Sequence, residues 1–209
     1  MSVGKVSIDR IRLDEAFVGK MLHRPFKDCI DAKSDETLFV VDDIETKISR
    51  FGNEEDDLGK ALMVINENKR EIVLLSIDNQ LLTGIQGGIA DCALFDDKQF
   101  RFVEFKTNAG GNSKKNFDKA TQQLKNTIKV FKDKLLTVNI QFEDAVVLSC
   151  HIVVSHSFPR TQATIQDYQL KFSTDTNGIL LSFNSETHWE ELDYEWDRIP
   201  SNLYCQLDS

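Results

Sequence analysis

Three charged residues sit where charge is costly. Glu104 and Lys106 fall within Phe102-Val103-Glu104-Phe105-Lys106, and Asp91 interrupts Ile89-Ala90-Asp91-Cys92-Ala93-Leu94-Phe95. Both runs have the apolar, aromatic texture of buried strands. An acid or an ammonium placed there loses hydration unless it is paired or binds something. Side chains alternate along a strand, so Glu104 and Lys106 share one face while Val103 and Phe105 take the other. If the runs form a hairpin whose loop residues are Asp97 and Lys98, then Asp96 faces Gln99 and Asp91 faces Glu104. Directly opposed side chains have Cβ atoms roughly 4.5–5.5 Å apart. Two carboxylates that close repel unless one is protonated or a cation lies between them. Oxygen donors of this kind suit Mg²⁺ or Mn²⁺. A loop one residue longer or shorter breaks the arrangement, because a one-residue slip turns every side chain to the other face.

The elements that must position these residues can be read from periodicity. Val40, Val41, Ile44 and Ile48 recur at helical spacing, which predicts a helix over 38–49. A second helix is expected over 54–66, with Leu58, Ala61, Leu62 and Ile65 inward and an acidic first turn. Residues 72–77 read as a strand and 80–85 as its partner, with Asp78-Asn79 as the turn and Gly87-Gly88 breaking the pattern. Residues 89–95 and 100–107 are two more strands, followed by a Gly/Asn loop over 108–113. The clearest helix covers 114–135, with Phe117, Ala120, Leu124, Ile128, Phe131 and Leu135 on one side. On its helical wheel Gln123 and Thr127 flank the apolar face on one side, and Lys114, Lys125, Lys129 and Lys132 flank it on the other. Residues 145–155 form a buried strand, and alternation over 165–185 suggests a hairpin around 175–178. The order helix, strands, helix, strand indicates an α/β sandwich with a central mixed sheet flanked by helices.

Asp91, twelve intervening residues, then Glu104-Phe105-Lys106, with Gly87-Gly88 before and a helix after, resembles the PD-(D/E)XK nuclease superfamily. The resemblance covers about residues 54–155, and Ala90 stands where the motif has proline. It implies a restriction-endonuclease-like core, αβββαβ; length and periodicity add the expectation of a single domain over 1–209 with N-terminal helical and C-terminal β-rich extensions. It implies a Mg²⁺- or Mn²⁺-dependent nuclease that hydrolyses phosphodiester bonds, DNA rather than RNA. Asp91 and Glu104 would hold the metal, with the Phe105 backbone carbonyl as third ligand. Lys106 would orient or help deprotonate the attacking water, or stabilise developing negative charge. Gln123 matches a glutamine that many relatives place near the active site, and the stripe Lys114, Lys125, Lys129 and Lys132 would grip phosphates. Many relatives pair to cut both strands, so a homodimer is among the expectations. Relatives also add an upstream glutamate, for which Glu45 and Glu54 are both candidates and neither is assigned. The bland readings are a polar boundary residue for Gln123, a solvated face for the lysines, and an internal ion-pair network for Asp91, Glu104 and Lys106. The alternative function is a nuclease-fold chain that does not cut and serves as a binding or assembly module.

Charge and composition bound these readings. Residues 101–134 carry nine Lys/Arg against three acids, a local +6 that leaves −15 on the rest of a chain whose total is −9. The last 24 residues hold seven acids and one arginine, which favours a protein partner there in the case of a chain that does not cut. Such polarity directs a polyanion to one face and away from the others. With 41% apolar residues and three prolines the 209-residue chain is not of the disordered class. Its apolar runs fall far short of the ~20 residues of a membrane helix. Charges occupy the N-terminal stretch that a signal peptide needs apolar. Cys29, Cys92, Cys150 and Cys205 form no CxxC pair, so a zinc ribbon or disulfide scaffold has no support and a reducing cytoplasm is expected. His151 reads as a core or edge histidine, and Gly110-Gly111-Asn112-Ser113-Lys114 lacks the spacing of a phosphate-binding P-loop.

Overall fold

Short β-branched and aromatic runs favour strands, and among the described residues ten of them pair. The computed structural model describes residues 8–9, 11–19, 22–43, 45–53, 61–106, 113–154 and 162–190. Within these the chain forms α1 (Leu13–Ala16), a 3₁₀ turn (Phe26–Asp28), β1 (Ile30–Lys33), β2 (Thr37–Asp43), β3 (Ile48–Phe51), β4 (Ala61–Ile65) and β5 (Ile72–Ser76). Next come β6 (Cys92–Phe95), β7 (Gln99–Lys106), α2 (Ser113–Leu136), α3 (Phe142–Ala145) and β8 (Val147–Val154). The last described elements are α4 (Gln162–Asp175), β9 (Leu180–Phe183) and β10 (Glu186–His188).

The strands make two mixed sheets. The larger has the order β1-β5-β6-β7-β8-β9 and the smaller β10-β4-β2-β3. β5, β6 and β7 run as an antiparallel meander, whereas β8 lies parallel to β7 and β9 parallel to β8. The two parallel joins are crossovers that contain α2 and α4, as parallel neighbours require. On one face of the larger sheet, Ala93, Phe95, Phe100, Phe102, Cys150 and Ile152 share a core with Phe117, Ala120, Leu124, Ile128, Phe131 and Leu135 of α2. On the other, Leu74, Cys92, Leu94, Val103, Phe105 and Val153 cluster with Leu38, Val40, Phe51, Leu62, Val64 and Trp189 of the smaller sheet. Covering on both sides explains why β5 and β6 are buried at every position.

The hairpin that carries the charged residues is fixed at its turn. β6 pairs with β7 as Cys92↔Val103 through Phe95↔Phe100, the register that a two-residue Asp97-Lys98 loop predicts. Asp96 Oδ1 accepts the backbone N–H of Lys98 at 2.7 Å and of Gln99 at 2.9 Å, an Asx-type turn. Its Oδ2 accepts Trp189 Nε1 at 2.9 Å and pairs with Arg70 Nε at 2.8 Å. One buried carboxylate therefore ties the hairpin end to the edge of the smaller sheet.

Several expected elements differ. The helix predicted over 38–49 is the antiparallel hairpin of β2 and β3, paired Val40↔Phe51 to Asp43↔Ile48. Asp43 Oδ1 accepts the N–H groups of Glu45 and Thr46 at 3.0 Å each, and Lys47 has φ 58°, so the local chemistry is that of a turn. Of the helix predicted over 54–66, residues 61–65 are strand β4 and 54–60 lie outside the described residues. The N-terminal extension thus holds more strand than helix where described. Residues 80–85 do not pair with β5, whose partners are β1 and β6. The hairpin predicted around 175–178 is the end of α4, with Asn177 at φ 58° and Gly178 at φ 96° before β9. The C-terminal extension is accordingly helix and strand. Among the described residues no helix is long and apolar enough to cross a membrane.

Candidate active site

The β6–β7 pairing ends at Cys92↔Val103, one residue short of Asp91, whose side chain reaches across to β7. Its Oδ2 accepts the backbone N–H of Phe105 at 2.6 Å, and its carbonyl accepts the N–H groups of Ile77 and Asp78 at 2.9 and 3.2 Å. Glu104 is 1% exposed. Its Oε1 forms an ion pair with Lys106 Nζ, and its Oε2 is buried with no hydrogen-bond partner. Lys106 Nζ also lies 3.3 Å from Gln123 Oε1. Asp91, Glu104, Lys106 and Gln123 therefore meet at one end of the β6–β7 hairpin, under α2.

The acids of this cluster resist ionisation. Burial first, then the charge of Asp42, pushes the Asp91 carboxyl up to about 7, against the hydrogen bond from Phe105. Burial, then the charge of Asp91, holds Glu104 well above the usual carboxylate range despite Lys106. A buried carboxylate beside another keeps its proton unless a cation offsets the charge. As the side chains stand, no three His, Cys, Asp or Glu among the described residues converge in a metal-holding group. The oxygens that could serve a metal are those of Asp91 and Glu104 with the Phe105 carbonyl.

Two acids that sequence reasoning passed over belong here. Asp42, on β2, and Asp78, just after β5, are both raised chiefly by burial and both feel the charge of Lys106. Asp42 Oδ1 is 3.4 Å from Ser49 Oγ, and the Ser76 hydroxyl at the end of β5 donates to the Ser49 carbonyl, which links the small sheet to this end of the large one. The signal for Asp42 is an acid inside Phe39-Val40-Val41-Asp42, masked by the helical spacing of Val40, Val41, Ile44 and Ile48. Asp78, in the turn-like pair Asp78-Asn79, gives no such signal. Glu45 is exposed on the β2–β3 turn, and Glu54 lies outside the described residues.

The lysine stripe is divided. Lys125 pairs with Asp175 at 2.5 Å and lies 5.8 Å from the Phe172 ring centroid, and Lys132 pairs with Glu143. Lys114 and Lys129 are exposed. His151 is 1% exposed, its Nε2 is 2.9 Å from the Asn184 carbonyl, and burial lowers it to about 4, so it sits in the core. Trp189 is buried against Asp96 and under Arg101, 5.1 Å from its ring. Comparison of the chain with family models, with curated proteins and with solved structures finds no match.

Proposed function

We propose that the chain is a Mg²⁺- or Mn²⁺-dependent nuclease of PD-(D/E)XK type with a restriction-endonuclease-like core, acting on DNA rather than RNA. The observation that carries this reading is the meeting of Asp91, Glu104, Lys106 and Gln123 at one end of a β-meander. The run β5-β6-β7-α2-β8, with β8 parallel to β7, supports it, since it has the βββαβ order of that core. The leading helix of the pattern departs, because 61–65 is strand.

The donor set fits a hard divalent cation. Glu104 Oε2 is a buried carboxylate oxygen without a donor, and such an atom costs free energy that a cation ligand removes. Asp91 and Glu104 would hold the ion with the Phe105 carbonyl, and the ion when bound would neutralise charge at the scissile phosphate. Asp91 is aimed by the Phe105 amide. Lys106, held between Glu104 and the Gln123 amide oxygen, offers its remaining ammonium protons to the attacking water or to the developing negative charge. Asp42 and Asp78 add negative potential that draws a cation to this end of the sheet.

A second reading, a nuclease-fold binding or assembly module, is favoured by the pairing of Lys125 and Lys132 with this chain's own acids, which leaves less cationic surface for a phosphate backbone. Incubation of the protein with plasmid and single-stranded DNA in Mg²⁺ or Mn²⁺ separates the two. The nuclease cuts, and Asp91→Ala and Lys106→Ala each lower cleavage by at least about 10³-fold, the scale of a lost charge-stabilising group. Intact Mn²⁺ binding with no cleavage selects the module, and neither binding nor cleavage ends both metal readings.

A further inference from the structure

The stretch 86–90 leading into Asp91 belongs to no helix or strand, yet α2 takes up its backbone groups one after another. Asn126 Nδ2 donates to the Gly88 carbonyl at 3.0 Å, Gln123 Nε2 to the Ile89 carbonyl at 3.0 Å, and the Ala90 N–H donates to Thr127 Oγ1 at 2.7 Å. Residues three and four apart share a helix face, so these three side chains form one polar patch beside the apolar stripe. Thr127 is fully buried, and its hydroxyl proton goes to the Gln123 carbonyl at 2.8 Å, which leaves the oxygen lone pair for Ala90. Gln122 donates to Asn126 Oδ1 at 2.9 Å and so turns the amide nitrogen toward Gly88. The glycines permit the close approach. A Cβ on Gly87, at φ +85°, would lie 2.7 Å from Asn126 Nδ2, and one on Gly88, at φ +77°, would lie 3.0 Å from Gln123 Cγ. Two consecutive glycines with freedom at positive φ would leave this stretch loose without such a grip.

We infer that Asn126 and Thr127 are positioning residues, which hold the 88–90 backbone against α2 and thereby set the Asp91 carboxyl onto the Phe105 amide. Their consequence for activity rests on the nuclease reading; the positioning itself does not. A helix carrying the grip and a strand carrying the target amide are packed into the same core, so a slip of 88–90 moves Asp91 relative to Glu104 and Lys106. Thr121 on the same helix is a matched control, because its hydroxyl bonds the helix's own carbonyls at Phe117 and Asp118, 3.0 Å each.

The test uses the full chain and two readouts: hydrogen exchange of the Phe105 amide by NMR, and Mn²⁺ affinity by calorimetry. Thr127→Val keeps shape and removes the acceptor. It is expected to speed Phe105 exchange at least about tenfold relative to other β7 amides and to weaken Mn²⁺ by about tenfold or more, the usual scale for groups that orient a metal ligand. Thr127→Ser restores both, and Thr121→Val changes neither. If Thr127→Val does not fold, Asn126→Ala, at a half-exposed site, carries the same measurement. Wild-type exchange at Phe105 in the Val or Ala variant, or no restoration by Ser, overturns the inference. A wild-type chain that binds no Mn²⁺ sinks the metal reading alone, and Phe105 exchange still decides the positioning.

Discussion

Ionised Asp91 is the unfavourable form in the folded chain, since burial and Asp42 push its carboxyl up to about 7. In the unfolded chain the group titrates near its ordinary value of about 3.9. A raised carboxyl contributes its stability fully below the unfolded value and loses it as pH rises through the folded one. The metal-free protein should therefore lose stability between about pH 4 and pH 7. Asp91→Asn keeps an oxygen for the Phe105 amide and removes the charge. It is expected to stabilise the metal-free chain by about 2–4 kcal/mol at pH 8, on a scale of 1.36 kcal/mol per pH unit, and by almost nothing at pH 4. Thermal unfolding at pH 4, 6 and 8 checks this; wild-type stability that climbs over the interval contradicts it.

At the scale of elements, Asp96 is the pivot. It accepts two backbone amides, the Trp189 indole and Arg70, so Asp96→Ala removes the acceptor of several buried donors at once. The expected cost is about 2–4 kcal/mol, measured by denaturant unfolding, with loss of the Trp189 fluorescence environment in the same titration. A cost below about 1 kcal/mol would mean that the apolar faces alone hold the register. The same residue explains why this part of the fold was legible in advance. A two-residue loop bounded by Asp96 and Gln99 is short-range chemistry, and it fixes the β6–β7 register, Cys92 opposite Val103, without knowledge of the rest. Helix α2 was legible because its apolar stripe is long and regular. The β2–β3 hairpin was not, because Val40, Val41, Ile44 and Ile48 happen to fit a helical period as well as a strand, and only pairing with β4 and burial against Leu74 and Val103 decide between them. Asp42 was lost with it. In α4, Ile165, Tyr168 and Phe172 pack on the core at helical spacing, a period obscured by the polar residues between them.

For the whole molecule, the charge map and the ion pairs together predict how a nucleic acid would be held. Each phosphate contact steepens the fall of log K with log salt by about 0.9. Lys129→Ala, at an exposed amine, is expected to lower that slope by about one for duplex DNA. Lys132→Ala should change it less, since its amine already meets Glu143. Equal effects in a salt titration would show that the Lys132 pair opens on binding.

The smaller sheet closes by a long detour. Its strand β10 lies parallel to β4, Glu186 beside Met63 and His188 beside Ile65, although most of the chain separates them. During synthesis, then, β4 must wait with its outer border unpaired until residues 186–188 leave the ribosome, and long-range parallel pairing of this kind is slow to form. The sheet that carries Asp42 thus gains its last border only after the hairpin and helix that bear the other charges have been made.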